Sequence, residues 1–171
     1  RIMMTSSGED APALRHLNQW LFRAGGSARN LQWWPRIASF QQGVAAFGGG
    51  DISLVAGGDI RDFTAAIPTN GRVPTLDGVL RPDLAVVQGG GDLTVRAGGA
   101  VDGGQFYVET GTLRLSGTRL SHQPGIALGN AAAHIAATGD IDLGNIFNPL
   151  WTVANGYVYN VYGTGNLVST G

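Results

Sequence analysis

One phrase constrains this chain more than any other. GGGDISLVAGGDI at 48–60 returns, at an offset of 41, as GGGDLTVRAGGAV at 89–101. Each copy is a glycine triplet, an Asp, a short run of alternating apolar and polar residues, Ala-Gly-Gly and a second short strand. Recurrence at a fixed offset marks a stacked repeat architecture, in which each unit leaves an apolar face bare until its neighbour covers it.

From Leu31 onward the pattern has period two. Ile52/Leu54/Ala56, Leu93/Val95/Ala97, Leu113/Leu115 and Ile141/Leu143 read as short strands with apolar residues inward and polar residues outward. Leu93 and Leu113 stand about 20 residues apart, as do Leu113 and Ile135, and the offset of 41 is close to two such intervals. A coil of about 20 residues holding two or three strands is the size of one turn of a right-handed parallel β-helix. Strands about every 8–12 residues would also suit a β-sandwich, but the near-identical glycine-rich units favour the β-helix. Glycine makes up 28 of the 171 residues. The expectation is that it forms corners with positive φ, and that Gly57–Gly58 and Gly98–Gly99 let successive turns bend sharply.

Composition narrows the function classes. The length suits one domain with a real core, and 43% apolar against 13% charged residues argues against disorder. A net charge of −1, with 11 basic residues and no basic stripe, speaks against nucleic-acid binding. The absence of Cys excludes disulfides, thiolate metal sites and a Cys nucleophile. RIMMTSSGED is not a signal peptide, and no apolar run reaches the ~20 residues of a membrane-spanning helix. Beginning at Arg1 and ending at Ser-Thr-Gly, the chain reads as an internal piece of a longer protein.

One α-helix is predicted, over 10–24 (DAPALRHLNQWLFRA). Asp10 is its N-cap, Pro12 sits in its first turn, Leu14, Leu17, Leu21 and Ala24 share a face, and Gly25–Gly26 ends it. The expected organisation is therefore a helical cap or decoration over 1–30 and an all-β β-helix segment over 31–171. A Pro-rich loop at 65–88 interrupts that segment.

The runs FQQGVAAFGGGDISLVAGGDIRDFTAAIPTNGR and QGGGDLTVRAGGAVDGGQFYV resemble the repetitive shaft of large bacterial filamentous-haemagglutinin-like exoproteins. The resemblance implies two-partner secretion through a dedicated outer-membrane pore and an extracellular right-handed β-helix. It also implies a role in adhesion, aggregation or contact between bacteria. The expected location is secreted or at the cell surface, with a glycan or protein of a host or bacterial surface as partner and no nucleic acid. The family's secretion domain is not recognisable here, and the N-terminal helix with its Trp pair departs from a plain shaft.

Candidate chemistry is sparse. GGGD at 48–51 and 89–92 invites comparison with calcium-loaded β-roll repeats, but the Gly-to-Asp spacing and the tandem nine-residue period are missing. Asp51 and Asp92 read instead as turn residues accepting local backbone N–H bonds. Asp59, Asp62, Glu109, Asp140 and Asp142 are the carboxylates a polysaccharide-cleaving enzyme would need, yet nothing assembles them with a Lys or His. His16, His122 and His134 have no ligand spacing, and no nucleophile, zinc or phosphate-loop motif occurs. The chain reads as no enzyme, with no cofactor or metal. The candidate contacts are aromatic: Trp33, Trp34, Tyr157, Tyr159 and Tyr162, as platforms for sugars or anchors for a protein. Adjacent Trp residues point to opposite faces, so one of the pair is expected to pack inward, under the helix. The expected function is attachment or cell–cell contact. The alternatives are a structural subunit of an extracellular filament or matrix and, less favoured, a carbohydrate-active enzyme.

Overall fold

The computed structural model describes residues 31–35, 37, 40, 43–148, 151–154, 157–160 and 168–169. The helix expected over 10–24 and the proposed contact Tyr162 lie outside them.

The strands run in order β1 (Leu31–Trp33), β2 (Val44–Ala45), β3 (Ile52–Ala56), β4 (Ile60–Arg61), β5 (Thr64–Ile67) and β6 (Thr69–Val73). β7 (Thr75–Leu76), β8 (Val79–Leu80), β9 (Val86–Gly89), β10 (Leu93–Ala97), β11 (Val101–Asp102) and β12 (Gln105–Gly117) follow. The last are β13 (Leu120–Ser121), β14 (Gly125–Ala137), β15 (Ile146–Phe147), β16 (Trp151–Ala154), β17 (Tyr157–Asn160) and β18 (Val168–Ser169).

Most of these strands form three parallel stacks, which the chain visits in rotation. The first joins β2, β5, the start of β12, the start of β14 and β15, so that Ala65, Phe106, Ile126 and Ile146 lie in one column. The second joins β3, β10, the end of β12 and the end of β14, aligning Leu54, Val95, Leu115 and Ile135. The third joins β4, β11 and β13, with a bridge to Ile141, aligning Ile60, Val101, Leu120 and Ile141. Residues of all three stacks meet in one core, including Phe106, Val108, Val95, Leu115, Val101 and Leu120. The result is a nearly closed parallel sheet wound around a common interior. No coil could cover its own apolar residues; each fully buried Leu or Phe contributes about 1.5–3 kcal/mol only once the next coil is in place.

The register corrects the reading of the repeat. Leu93 pairs with Leu113 and Leu113 with Ala133, so one circuit takes about 20 residues. Ile52 pairs directly with Leu93, so the two copies of the phrase occupy adjacent coils rather than coils two apart. The difference is an insert, Thr69–Gly89, that leaves the coil after β5 and rejoins it before β10. With that segment taken out, the offset of 41 shrinks to the spacing that separates Leu93 from Leu113.

The stretch expected to be a Pro-rich loop at 65–88 is therefore not one. Residues 65–67 belong to β5 and are fully buried. The rest forms an antiparallel sheet in the order β1-β6-β9, with a β7–β8 hairpin beyond it. Its prolines punctuate rather than unravel. Pro68 and Pro74 separate strands, and Pro82 opens a 3-10 turn at Pro82–Leu84. Asp77-Gly78, with φ of 51° and 79°, is the turn that a tight hairpin requires.

The glycine argument also changes. Gly91 and Gly111 do have positive φ, and in addition each lies directly over the coil beneath. A Cβ on Gly91 would overlap the Gly50 carbonyl, and one on Gly111 would overlap that of Gly91. Gly98 has no positive φ; it is glycine because a Cβ would strike the Gly57 carbonyl of the neighbouring coil. Coil spacing, more than sharp bending, demands these residues.

Two expectations of alternation hold only in part. In the first stack both sides are apolar: Ala65, Phe106 and Ile126 face the core, while Ala66, Tyr107 and Ala127 pack outward against Phe40, Ala45 and Phe47. At the far end of the third stack Ile141 is 48% exposed, because no described strand covers it from above. Among the described residues parallel stacking ends at β15. β16, β17 and β18 form a separate antiparallel sheet rather than further parallel strands of the coil.

Candidate functional site

The insert is attached to the coil through a buried polar chain. Glu109 follows Val108 at a corner of β12 and is fully buried. Its Oε2 accepts the Thr69 backbone N–H at 2.5 Å and the Tyr107 hydroxyl at 2.8 Å. The Thr69 hydroxyl in turn accepts the Trp33 indole N–H at 3.0 Å. A carboxylate taken out of water needs such donors. Glu109, one of the scattered carboxylates of the sequence, thus fastens the first residue of the insert to the coil.

Trp33 and Trp34 separate as adjacent strand residues must. Trp33 is 1% exposed, and its ring lies so close over Gly71 that any Cβ there would overlap it. That makes Trp33 a structural residue of the insert sheet. Trp34 is 42% exposed. Tyr157 and Tyr159 lie in β17, within the C-terminal antiparallel sheet, away in sequence and pairing from the Trp pair.

The outward face of the insert sheet carries a row of cross-strand neighbours. Gln32 of β1 is opposite Arg72 of β6, which is opposite Val86 of β9, and all three are exposed. With Val73, Pro74 and Leu84 they line a cleft of about 340 Å³. Leu84 and Val86 in its lining, and Leu76, Val79 and Val87 elsewhere in the insert, are large apolar side chains exposed to solvent, as is Trp34 just after β1. Exposed apolar side chains beside a cleft mark an interaction site more than a structural need. Arg81 and Asp83 hold the bordering 3-10 turn through two bonds of 2.9 and 2.6 Å. This pair lowers the Asp83 pKa and raises that of Arg81. Sequence reasoning missed this surface because VLRPDLAVVQ, with its Pro and broken alternation, reads as loop.

The carboxylates singled out from sequence serve the coil. Asp51 accepts the Asp92 N–H at 2.8 Å, Asp92 accepts the Thr112 N–H at 2.9 Å, and Asp59 accepts the Ala100 N–H at 2.8 Å. These donors belong to the adjacent coil, so the expected local turn bonds are instead rungs between coils. Arg114, 3.0 Å from Asp92, together with the Thr112 N–H, lowers the Asp92 pKa. The Ala100 N–H and Arg61 do the same for Asp59.

At a corner of the third stack, one oxygen of Asp102 takes both the Ser121 hydroxyl, at 3.0 Å, and His122 Nδ1. The His122 bond lowers the Asp102 pKa, and Asp102 raises that of His122. A nucleophilic relay needs the imidazole between hydroxyl and carboxylate. Here both end on the carboxylate, and Ser121 is not activated. Asp140 and Asp142 are exposed. Among the described residues no three His, Asp or Glu side chains are grouped to hold a metal ion. No family model, curated protein or solved structure matches the chain.

Proposed function

We propose that this chain is a right-handed parallel β-helix segment of a filamentous-haemagglutinin-like extracellular adhesin, and that its insert sheet is the recognition surface. The observation that carries this reading is the division of labour along the chain. The coil repeats about every 20 residues and buries most of its apolar residues, whereas the insert, Thr69–Gly89, leaves Leu76, Val79, Leu84, Val86 and Val87 exposed, with Leu84 and Val86 lining a cleft. A stiff stack of coils holds such a surface at a fixed place and, repeated along a longer protein, multiplies weak contacts into avidity. Export through an outer-membrane pore of the two-partner type accompanies this reading, as does attachment to a surface glycan or protein of a host or another bacterium.

Excision tests it. Joining Pro68 directly to Gly90 restores the ordinary circuit, with a corner as long as that between Val108 and Leu113. The excised chain is expected to keep its β-rich circular dichroism and cooperative unfolding but to lose attachment to bacterial and epithelial cells. Trp34→Ala is expected to weaken attachment without altering folding. Attachment that survives excision sinks the proposal.

A structural filament subunit is a second reading. It is favoured by β3 and the end of β14, which carry no further strand on their outer sides among the described residues. Filaments growing with concentration under the electron microscope would support it.

A further inference from the structure

We infer that the cleft across the insert sheet binds a carboxylate carried on a compact aliphatic body, an assignment that rests on the insert being the recognition surface. Arg72 stands at the centre of the cross-strand row, between Gln32 and Val86, in a cleft whose other walls are aliphatic. Arg61, Arg81 and Arg114 each hold an aspartate, but among the described residues no carboxylate lies within ion-pair range of Arg72. An exposed, unpaired guanidinium beside an apolar wall is one half of a charge-assisted pair. Its planar fork matches a carboxylate with two parallel N–H···O bonds. The Gln32 amide beside it is a further donor.

The shape of the cleft narrows the ligand. Its volume of about 340 Å³ is at the small end of ligand pockets, suited to a compact molecule. Lining residues come from each of three neighbouring strands, so the ligand lies across the sheet. An extended peptide added along the edge of β9 that no described strand covers would run the other way. Among the described residues none that lines the cleft is aromatic, so the body that covers Pro74, Leu84 and Val86 is aliphatic rather than a stacked sugar ring.

The ligand has two chemical sources, a free aliphatic acid or the carboxyl terminus of a polypeptide ending in an apolar residue. Titration of the ¹⁵N-labelled full chain with octanoate and with N-acetyl-leucine represents each, with octanamide and N-acetyl-leucinamide as uncharged controls. The expected result is saturable shifts of the Gln32, Arg72 and Val86 amides with at least one acid, and binding about tenfold or more weaker for its amide. Arg72→Gln, at an exposed position, is expected to lose a similar factor while unfolding at the same urea concentration. Tighter binding of octanoate assigns the free acid; tighter binding of N-acetyl-leucine assigns the chain terminus. Equal binding of acid and amide, unchanged affinity in Arg72→Gln, or no shift at these residues overturns the assignment. If those results accompany cell attachment that still disappears on excision of Thr69–Gly89, only the ligand class has failed. Attachment that survives excision removes the recognition surface itself.

Discussion

The coil and its insert are built from similar residues by opposite rules. In the middle of the coil each circuit is covered by the next, so Leu93, Val95, Leu113 and Leu115 are almost wholly buried and the glycines between them touch neighbouring backbone. In the insert the strands pair edge to edge in one layer, so Val86 and Val87 stay in solvent and Gly78 faces open space. The difference teaches where selection for packing ends and freedom for recognition begins. A stacked position is constrained from above and below, whereas the inserted layer is packed at Trp33, Gly71 and Val73 and open at Arg72 and Val86.

Paired substitutions probe that contrast, and the largest effect should come from glycine. Gly111 and Gly78 both have positive φ, but a side chain on Gly111 would strike the Gly91 carbonyl, while one on Gly78 meets nothing. Gly111→Asn is expected to cost roughly 4 kcal/mol and Gly78→Asn less than about 1 kcal/mol, measured by urea unfolding. Similar costs at the two sites would erase the distinction. Truncation of buried aliphatics comes next. Leu115→Ala should lose about 2–5 kcal/mol and Val87→Ala no more than about 0.5 kcal/mol in the same assay.

Glu109 sharpens the comparison because it belongs to both regions. Glu109→Gln should cost roughly 1–3 kcal/mol and speed hydrogen exchange at the Thr69 amide, leaving the amides of β10 protected. Uniform loss of protection would mean that insert and coil open as one unit.

The smallest effect is the pH dependence at the exposed His122–Asp102 pair. His122 is raised by Asp102, so its contribution is complete below the ordinary histidine value of about 6.5 and fades as pH rises through the higher folded value. Asp102 is lowered by His122, so its contribution is present above about 3.9 and is lost as pH falls through the lower folded value. Arg61 and Asp62 also act on this pair, the first lowering Asp102 and the second raising His122, while Arg119 opposes the rise in His122. Melting temperature should therefore decline slightly between about pH 6 and 8, and His122→Ala should flatten that decline.

Local residue order made much of the coil legible. Alternation at Leu93/Val95/Ala97 identified core positions because a strand turns alternate side chains to opposite sides whatever its partner. Ile141 escaped that logic. Its burial depends on whether another coil lies above it, which no local pattern records. The candidate site was legible only at the Trp pair, where alternation predicts one residue in and one out. Which of the two is buried depends on Gly71, in a strand far from Trp33 along the chain.

The sequence by itself determined a repeating, glycine-rich, all-β chain and the inward residues of its strands, because periodicity and turn chemistry act over a few neighbouring residues. The tertiary structure decided what the offset of 41 means, which donors the aspartates accept, and where apolar surface is left bare. Each of these depends on which coil lies against which, and parallel pairing brings together distant residues, such as Asp51 with Asp92 and Asp92 with Thr112, that share no local signal.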